Sequence, residues 1–188
     1  MKKSLVSVIL LACTVSFVSA QTQAGKLFLT GSSNLGFLSR DYTDDPGGNS
    51  YTVTQTTFNV GVGYFFNNNA LIGVKLPYQH SKKEDYKTTE VAIEPFFRYY
   101  FGANQFKPFL EAGLGFKNYN LTTSGSSTTT FNGPMMGVGA GIAYYITPSV
   151  AIEAMFGYTY NKITNTDNSN DKEKIGETAF NIGFDISL

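Results

Sequence analysis

Between Val91 and Phe101 the chain reads VAIEPFFRYYF, an apolar run that holds one acid and one base, Glu94 and Arg98. Pro95 sits in its middle, and proline removes a helical hydrogen bond and clashes with the preceding turn. The aromatic and β-branched residues around it favour a pleated strand. Side chains of a strand alternate. Ala92, Glu94, Phe96, Arg98 and Tyr100 then share one face, and Val91, Ile93, Pro95, Phe97, Tyr99 and Phe101 share the other. One face is wholly apolar and the other carries both charges. Such a strand fits a soluble core with the apolar face inside, or a membrane barrel with that face turned to lipid.

The same alternation recurs in about eight segments along the chain, each too short for a membrane helix. Phe58, Val60, Val62, Tyr64 and Phe66 form one apolar face, Ile72, Val74, Leu76 and Tyr78 the next, and Leu110, Ala112, Leu114 and Phe116 another. Val138, Ala140, Ile142 and Tyr144 continue the pattern, followed by Val150, Ile152, Ala154, Phe156, Tyr158 and Tyr160. In the first segment Leu27, Leu29, Leu35 and Phe37 are expected outward. Opposite faces are small or polar, with Gly61, Gly63, Gly73, Gly113, Gly115, Gly137, Gly139 and Gly141 prominent. Long polar connections are expected over Ser39 to Ser50, His80 to Thr88, Asn118 to Phe131 and Asn161 to Lys174. Short ones fall at Asn67 to Asn69, Gly102 to Gln105 and Thr147 to Ser149. Alternating long and short connections describe an all-β, eight-stranded antiparallel up-and-down transmembrane barrel, with both termini on the side of the short turns.

Charge decides which face is outside. Arg at mid-bilayer on a lipid face costs roughly 2–4 kcal/mol, against a total stability of about 5–15 kcal/mol. Lys75, Glu94, Arg98, Glu111, Lys117, Glu153 and Asp185 must therefore point inward, as a charge network across the lumen. Charged residues make up 15% of the chain, well below the roughly 25% of an average soluble protein. A soluble barrel would place Lys and Glu on its non-core face, whereas here that face is mostly Gly, Ala, Asn and Thr. Tyr64, Tyr78, Tyr99, Tyr144 and Tyr158, near segment ends, suit an interfacial girdle. Eight strands leave an interior that side chains just fill, so a plugged lumen is expected. The glycine faces leave room unless Phe96, Tyr100 and Tyr145 occupy it. Pro95 conflicts with a closed ladder, and a local bulge would accommodate it at the risk of shifting the register.

The N-terminus has the layout of an export signal over residues 1–20. Lys2 and Lys3 precede the apolar stretch Leu5 to Val18, and Val18-Ser19-Ala20 supplies small residues for cleavage before Gln21. Residues 21–188 are then the barrel domain. The single Cys13 lies in the signal, so the mature chain uses neither disulfides nor thiol chemistry. The full chain balances 14 basic against 14 acidic residues, which gives no reason to expect a nucleic-acid partner. With one histidine, His80, metal sites rich in histidine and histidine-paired nucleophiles are excluded elsewhere. Asp167, Ser169 and Asp171 open like a calcium loop, but Lys172 replaces its Gly and Thr178 its closing Glu. Asp41, Asp44 and Asp45 run into DDPGG, which makes a turn, and Lys82 to Asp85 read as a wet loop tip. No catalytic residue, cofactor or metal site is expected.

The stretches IEPFFRYYF, KPFLEAGLGF and GVGAGIAYYITPSVAIEAMFGYTY resemble the small bacterial outer-membrane β-barrel domain family, with the architecture of OmpA and OmpX but without a peptidoglycan-binding domain. Phe180, Ile182, Phe184, Ile186 and Leu188 alternate to the last residue, similar to the C-terminal signal read by the barrel-assembly machinery. Family members usually end in Phe, and this chain ends in Leu188. The resemblance implies a monomer in the outer membrane of a Gram-negative bacterium, surrounded by lipid and lipopolysaccharide, with periplasmic termini and extracellular loops. The expected role is structural, or surface interaction and adhesion through the loops. A small-solute channel is the alternative, and a lipid-modifying barrel enzyme a more distant one.

Overall fold

The computed structural model describes residues 22–34, 38–44, 52–55, 57–83, 86–123 and 128–188. The export signal expected over residues 1–20, with Leu35 and Phe37, lies outside these. The described strands are β1 (Leu27–Ser33), β2 (Leu38–Asp44), β3 (Thr52–Gln55), β4 (Thr57–Asn67), β5 (Ala70–Lys83), β6 (Tyr86–Tyr100), β7 (Phe106–Thr123), β8 (Thr128–Tyr145), β9 (Val150–Asn165) and β10 (Lys172–Ser187). They make eight staves. β1 and β2 lie end to end along β10, and β4 and β3 lie end to end along β1 and β2. All neighbours are antiparallel, and the β1–β10 pairing closes the sheet on itself, so the fold is the expected eight-stranded antiparallel barrel. At the seam, the amides of Leu27 and Leu188 each donate to the other's carbonyl, at 3.1 and 2.9 Å.

Outside, the barrel is apolar. β6 alternates without exception between exposed odd and buried even positions from Val91 to Tyr100. Phe58, Val60 and Val62 on β4, Ile72 and Leu76 on β5, Leu110 and Leu114 on β7 and Phe180, Ile182 and Phe184 on β10 are exposed in the same way. Leu27 and Leu29 join them, as expected of the first segment. A soluble monomer rarely exposes a contiguous apolar patch above a few hundred Å². This band encircles the wall, and only hydrocarbon satisfies it.

Pro95 causes less disturbance than the bulge expected for it. On β5 it pairs with Val74, and on β7 the pairing lapses at Glu94 and Pro95 but resumes in the same register, from Ile93↔Phe116 to Phe96↔Gly113. The ladder loses a contact rather than a step, so Glu94 and Arg98 stay on one face. A second difference concerns the polar connections. Most residues expected as loop over His80–Thr88, Asn118–Phe131 and Asn161–Lys174 are paired strand. Above the lipid the outward face of a strand meets water while Ile163 and Ile175 stay buried inside, so polar residues outside can keep the ladder. Thr130 donates to Asn120 at 2.8 Å, and the Thr122 and Thr128 hydroxyls are 3.1 Å apart, supplying cross-strand contacts there. Asp41 and Asp44, expected in the first such loop, lie within β2, while Asp45 is outside the described residues. The opposite connections are short. The Asn68-Asn69 turn places Asn69 at φ 66°, a left-handed position that asparagine tolerates, and its amide donates to the Thr22 carbonyl at 2.8 Å.

Candidate functional site

The inward positions form layers that can be followed along β6 from the turn end: Tyr100, Arg98, Phe96, Glu94, Ala92, Glu90. The lowest layer is aromatic. Phe28, Phe65, Leu71, Tyr100, Phe109 and Tyr145 pack with Ala143 and Ala151 into one buried cluster that fills the turn end. Phe65 meets Phe28 edge-on at 5.9 Å between ring centroids, and Tyr100 lies 5.4 Å from Phe109.

Arg98 stands directly on this layer, 1% exposed, with its guanidinium 4.2 Å from the Phe109 ring centroid. Three carboxylates from three strands converge on it. Nε and Nη2 donate to Glu111 Oε2 at 2.8 and 2.7 Å, and Nη1 reaches Glu153 at 2.7 Å and Asp185 at 3.2 Å. Nη1 also donates to the Tyr100 hydroxyl at 3.0 Å, which in turn donates to Asp185 at 3.3 Å. Lys75 extends the cluster by pairing with Glu111, and it lies 3.7 Å from Glu94. The structure thus brings Lys75, Glu94, Arg98, Glu111, Glu153 and Asp185 together. Lys117 stands apart, in a second layer nearer the loops, where it meets Glu90 at 3.1 Å and Glu177 at 2.8 Å. Gln79 links Glu90 to Thr57 through bonds of 3.1 and 2.7 Å. Above it, Tyr119, Phe131, Ile163 and Ile175 form an apolar cluster at the loop end.

Large side chains occupy the space that the inward glycines leave. A Cβ at Gly73 would stand 2.6 Å from the Phe96 ring, and one at Gly113 would stand 2.2 Å from Glu94 Oε1. Phe96, Tyr100 and Tyr145 are all buried in the interior. Between the two ionic layers a cavity of about 110 Å³ remains, bordered by Lys75, Glu94, Glu90 and Lys117. Glu90, Glu177 and Lys107 are buried charged residues that the sequence reading did not pick out. Strand parity extended beyond Val91 would have found Glu90, since it shares a face with Glu94. Among the described residues the buried ionisable side chains comprise Lys75, Arg98, Lys107 and Lys117 alongside six carboxyl groups. No group of three or more His, Cys, Asp or Glu among the described residues is placed to hold a metal ion. His80, expected at a loop, lies in β5 with its Nδ1 3.1 Å from the Thr89 hydroxyl.

A closed antiparallel wall that is apolar outside and ionic inside defines a transmembrane β-barrel. The model of the outer membrane protein beta-barrel domain matches residues 10–187, and the chain belongs to that family, which places it in the outer membrane. Among solved structures it is similar to Neisserial surface protein A, at 18% identity and a TM-score of 0.67 over 87% of this chain and 99% of that one. The outer membrane protein OprG from Pseudomonas aeruginosa matches at 15% identity and a TM-score of 0.59, over 90% of this chain and 98% of that one. Ail, the attachment invasion locus protein of Yersinia pestis, matches at 15% identity and a TM-score of 0.52, over 87% of this chain and 100% of that one. At these identities the likeness is one of fold. No curated protein sequence matches significantly.

Proposed function

We propose that this barrel is a structural and surface-interaction protein of a Gram-negative outer membrane, a non-catalytic monomer whose lumen is closed. Its termini and short turns face the periplasm, and the strand extensions carry polar hairpin tips outside, where they meet lipopolysaccharide and surface ligands. The barrel-assembly machinery inserts it by reading the C-terminal strand, Phe180 to Leu188. The observation that carries the closed-lumen reading is the stacking of the aromatic layer beneath the Arg98 cluster, which blocks the turn end twice over. Buried side chains of both ionic layers occupy the lumen, and the connections at the far end are polar. Ail, a fold relative, is by its description an attachment protein, and the same use of the loops fits here.

Planar-bilayer recording on the refolded protein tests this. The expected trace is a baseline without steady unitary currents, and a reproducible conductance would move the assignment to a small-solute channel. For the tips, replacing Thr166 to Asp171 by a Gly-Ser linker is expected to abolish cell adhesion to extracellular matrix while heat-modifiable migration stays unchanged. Unaltered adhesion would remove that hairpin from the proposal.

A further inference from the structure

In the lower ionic layer two basic side chains serve four carboxyl groups. Lys75 pairs with Glu111 and lies 3.7 Å from Glu94, and Arg98 holds Glu111, Glu153 and Asp185. The shortage is plainest at one nitrogen. A guanidinium Nη carries two protons, yet Nη1 of Arg98 stands within 3.2 Å of three oxygens, on Tyr100, Glu153 and Asp185. The shorter contacts, 3.0 Å to Tyr100 and 2.7 Å to Glu153, use both protons. Asp185 Oδ2 is left with the Tyr100 hydroxyl at 3.3 Å, and its Oδ1 is buried without a hydrogen bond. A carboxylate shut away from water and served so poorly is costly. Register explains why the two acids meet. Gly183 pairs with Glu153 and Asp185 with Ala151, so Glu153 and Asp185 are diagonal neighbours on the inner face of β9 and β10.

We infer that Glu153 and Asp185 hold one proton between them, so that barrel closure takes up a proton from solution and alkaline conditions weaken it. Two carboxylates that share one site do not both ionise. The groups facing the pair are Arg98 and Tyr100 from β6, Glu111 from β7 and Tyr145 from β8, with Lys75 from β5 behind Glu111. From β1 comes Thr30, the register partner of Asp185 across the closing seam. Arg98 and Lys75 are the bases among these, and both are already shared between acids. A proton on Asp185 turns an acceptor without a donor into a donor. The layer exists only once β6, β7, β9 and β10 stand in one ring. In the unfolded chain both carboxyls meet water and ionise at the ordinary values of about 4. Above those values, for as long as the pair keeps its proton, the closed form binds one proton more than the unfolded chain. Stability therefore falls as pH rises through that window.

Urea unfolding of the refolded protein in phosphatidylcholine vesicles, repeated from about pH 5 to about pH 8, tests it. The folding equilibrium constant is expected to fall by about tenfold for each pH unit while the pair stays protonated. His80 titrates in the same window, so the readout is the difference from Asp185→Asn. That variant is expected to lack the one-proton slope and to be at least as stable as the wild type at the alkaline end. Should Asp185→Asn fail to fold, Glu153→Gln replaces it. Equal slopes in wild type and variant, with the variant weaker at every pH, would show an ionised partner of Arg98 and overturn the inference. Infrared difference spectra of the folded protein near neutral pH give a second reading that does not depend on unfolding. The carboxylic C=O band of one group is expected in the wild type and not in the variant, and carboxylate bands alone in both would likewise overturn the inference.

Discussion

Arg98 is the residue on which the interior depends, because one guanidinium bonds to carboxylates from β7, β9 and β10. Removing one partner from a buried ionic cluster costs about 3–5 kcal/mol, since the remaining charges are left without compensation. Arg98→Ala is therefore expected to lower the unfolding free energy in lipid vesicles by about that amount, read from urea titration of tryptophan-free far-UV ellipticity. Combining Arg98→Met with Glu111→Gln, Glu153→Gln and Asp185→Asn is expected to recover most of the loss, because a neutral network leaves no isolated charge. A quadruple variant as weak as Arg98→Ala would show that packing, not charge, is responsible. Arg98 and Glu94 were legible in the sequence because each interrupts a greasy strand, where an inward charge has only one tolerable direction. Glu90 and Glu177 were not, because toward the loop end polar residues occur on both faces and alternation no longer separates inside from outside. That the Arg98 and Lys117 groups form two separate layers depends on stagger between strands, which single segments do not encode.

At the level of the strand, β6 joins two requirements that conflict. It must keep a continuous ladder, and it carries Pro95, which has no amide proton to donate. The pairing with β7 lapses at Glu94 and Pro95 and resumes without a change of step. Pro95→Val supplies the missing donor and is expected to raise stability by about 0.5–1.5 kcal/mol, the net worth of one hydrogen bond. Amide exchange at Leu114, the register partner across the ladder, should slow with it. Exchange that does not change would mean that the gap comes from the Glu94 side chain lying against Gly113 rather than from the proline. The existence and facing of most strands were readable from alternation, including the outward Leu27 and Leu29. Their lengths were not, because the alternation of apolar and polar residues ends where the hydrocarbon ends, whereas backbone pairing continues into water.

For the whole molecule the surroundings are part of the fold, since the apolar side chains that would form a soluble core are on the perimeter. Leu114, 67% exposed, faces outward on β7, and Leu114→Arg is expected to cost about 2–4 kcal/mol in vesicles if it sits near the bilayer midplane. The same substitution should be nearly neutral in a barrel that water surrounds, so unfolding measured in vesicles separates the two environments. The seam between Leu27 and Leu188 has a further consequence for how the molecule comes into being. Every other stave meets its neighbour across a hairpin, but this one joins Leu27 to Leu188, the least local pairing among the described residues. Ring completion is thus expected to be the slow, entropically unfavourable step. Until the final residue arrives, two raw edges remain open to partners, so loss of even a few C-terminal residues should leave a curled ribbon prone to joining its own kind.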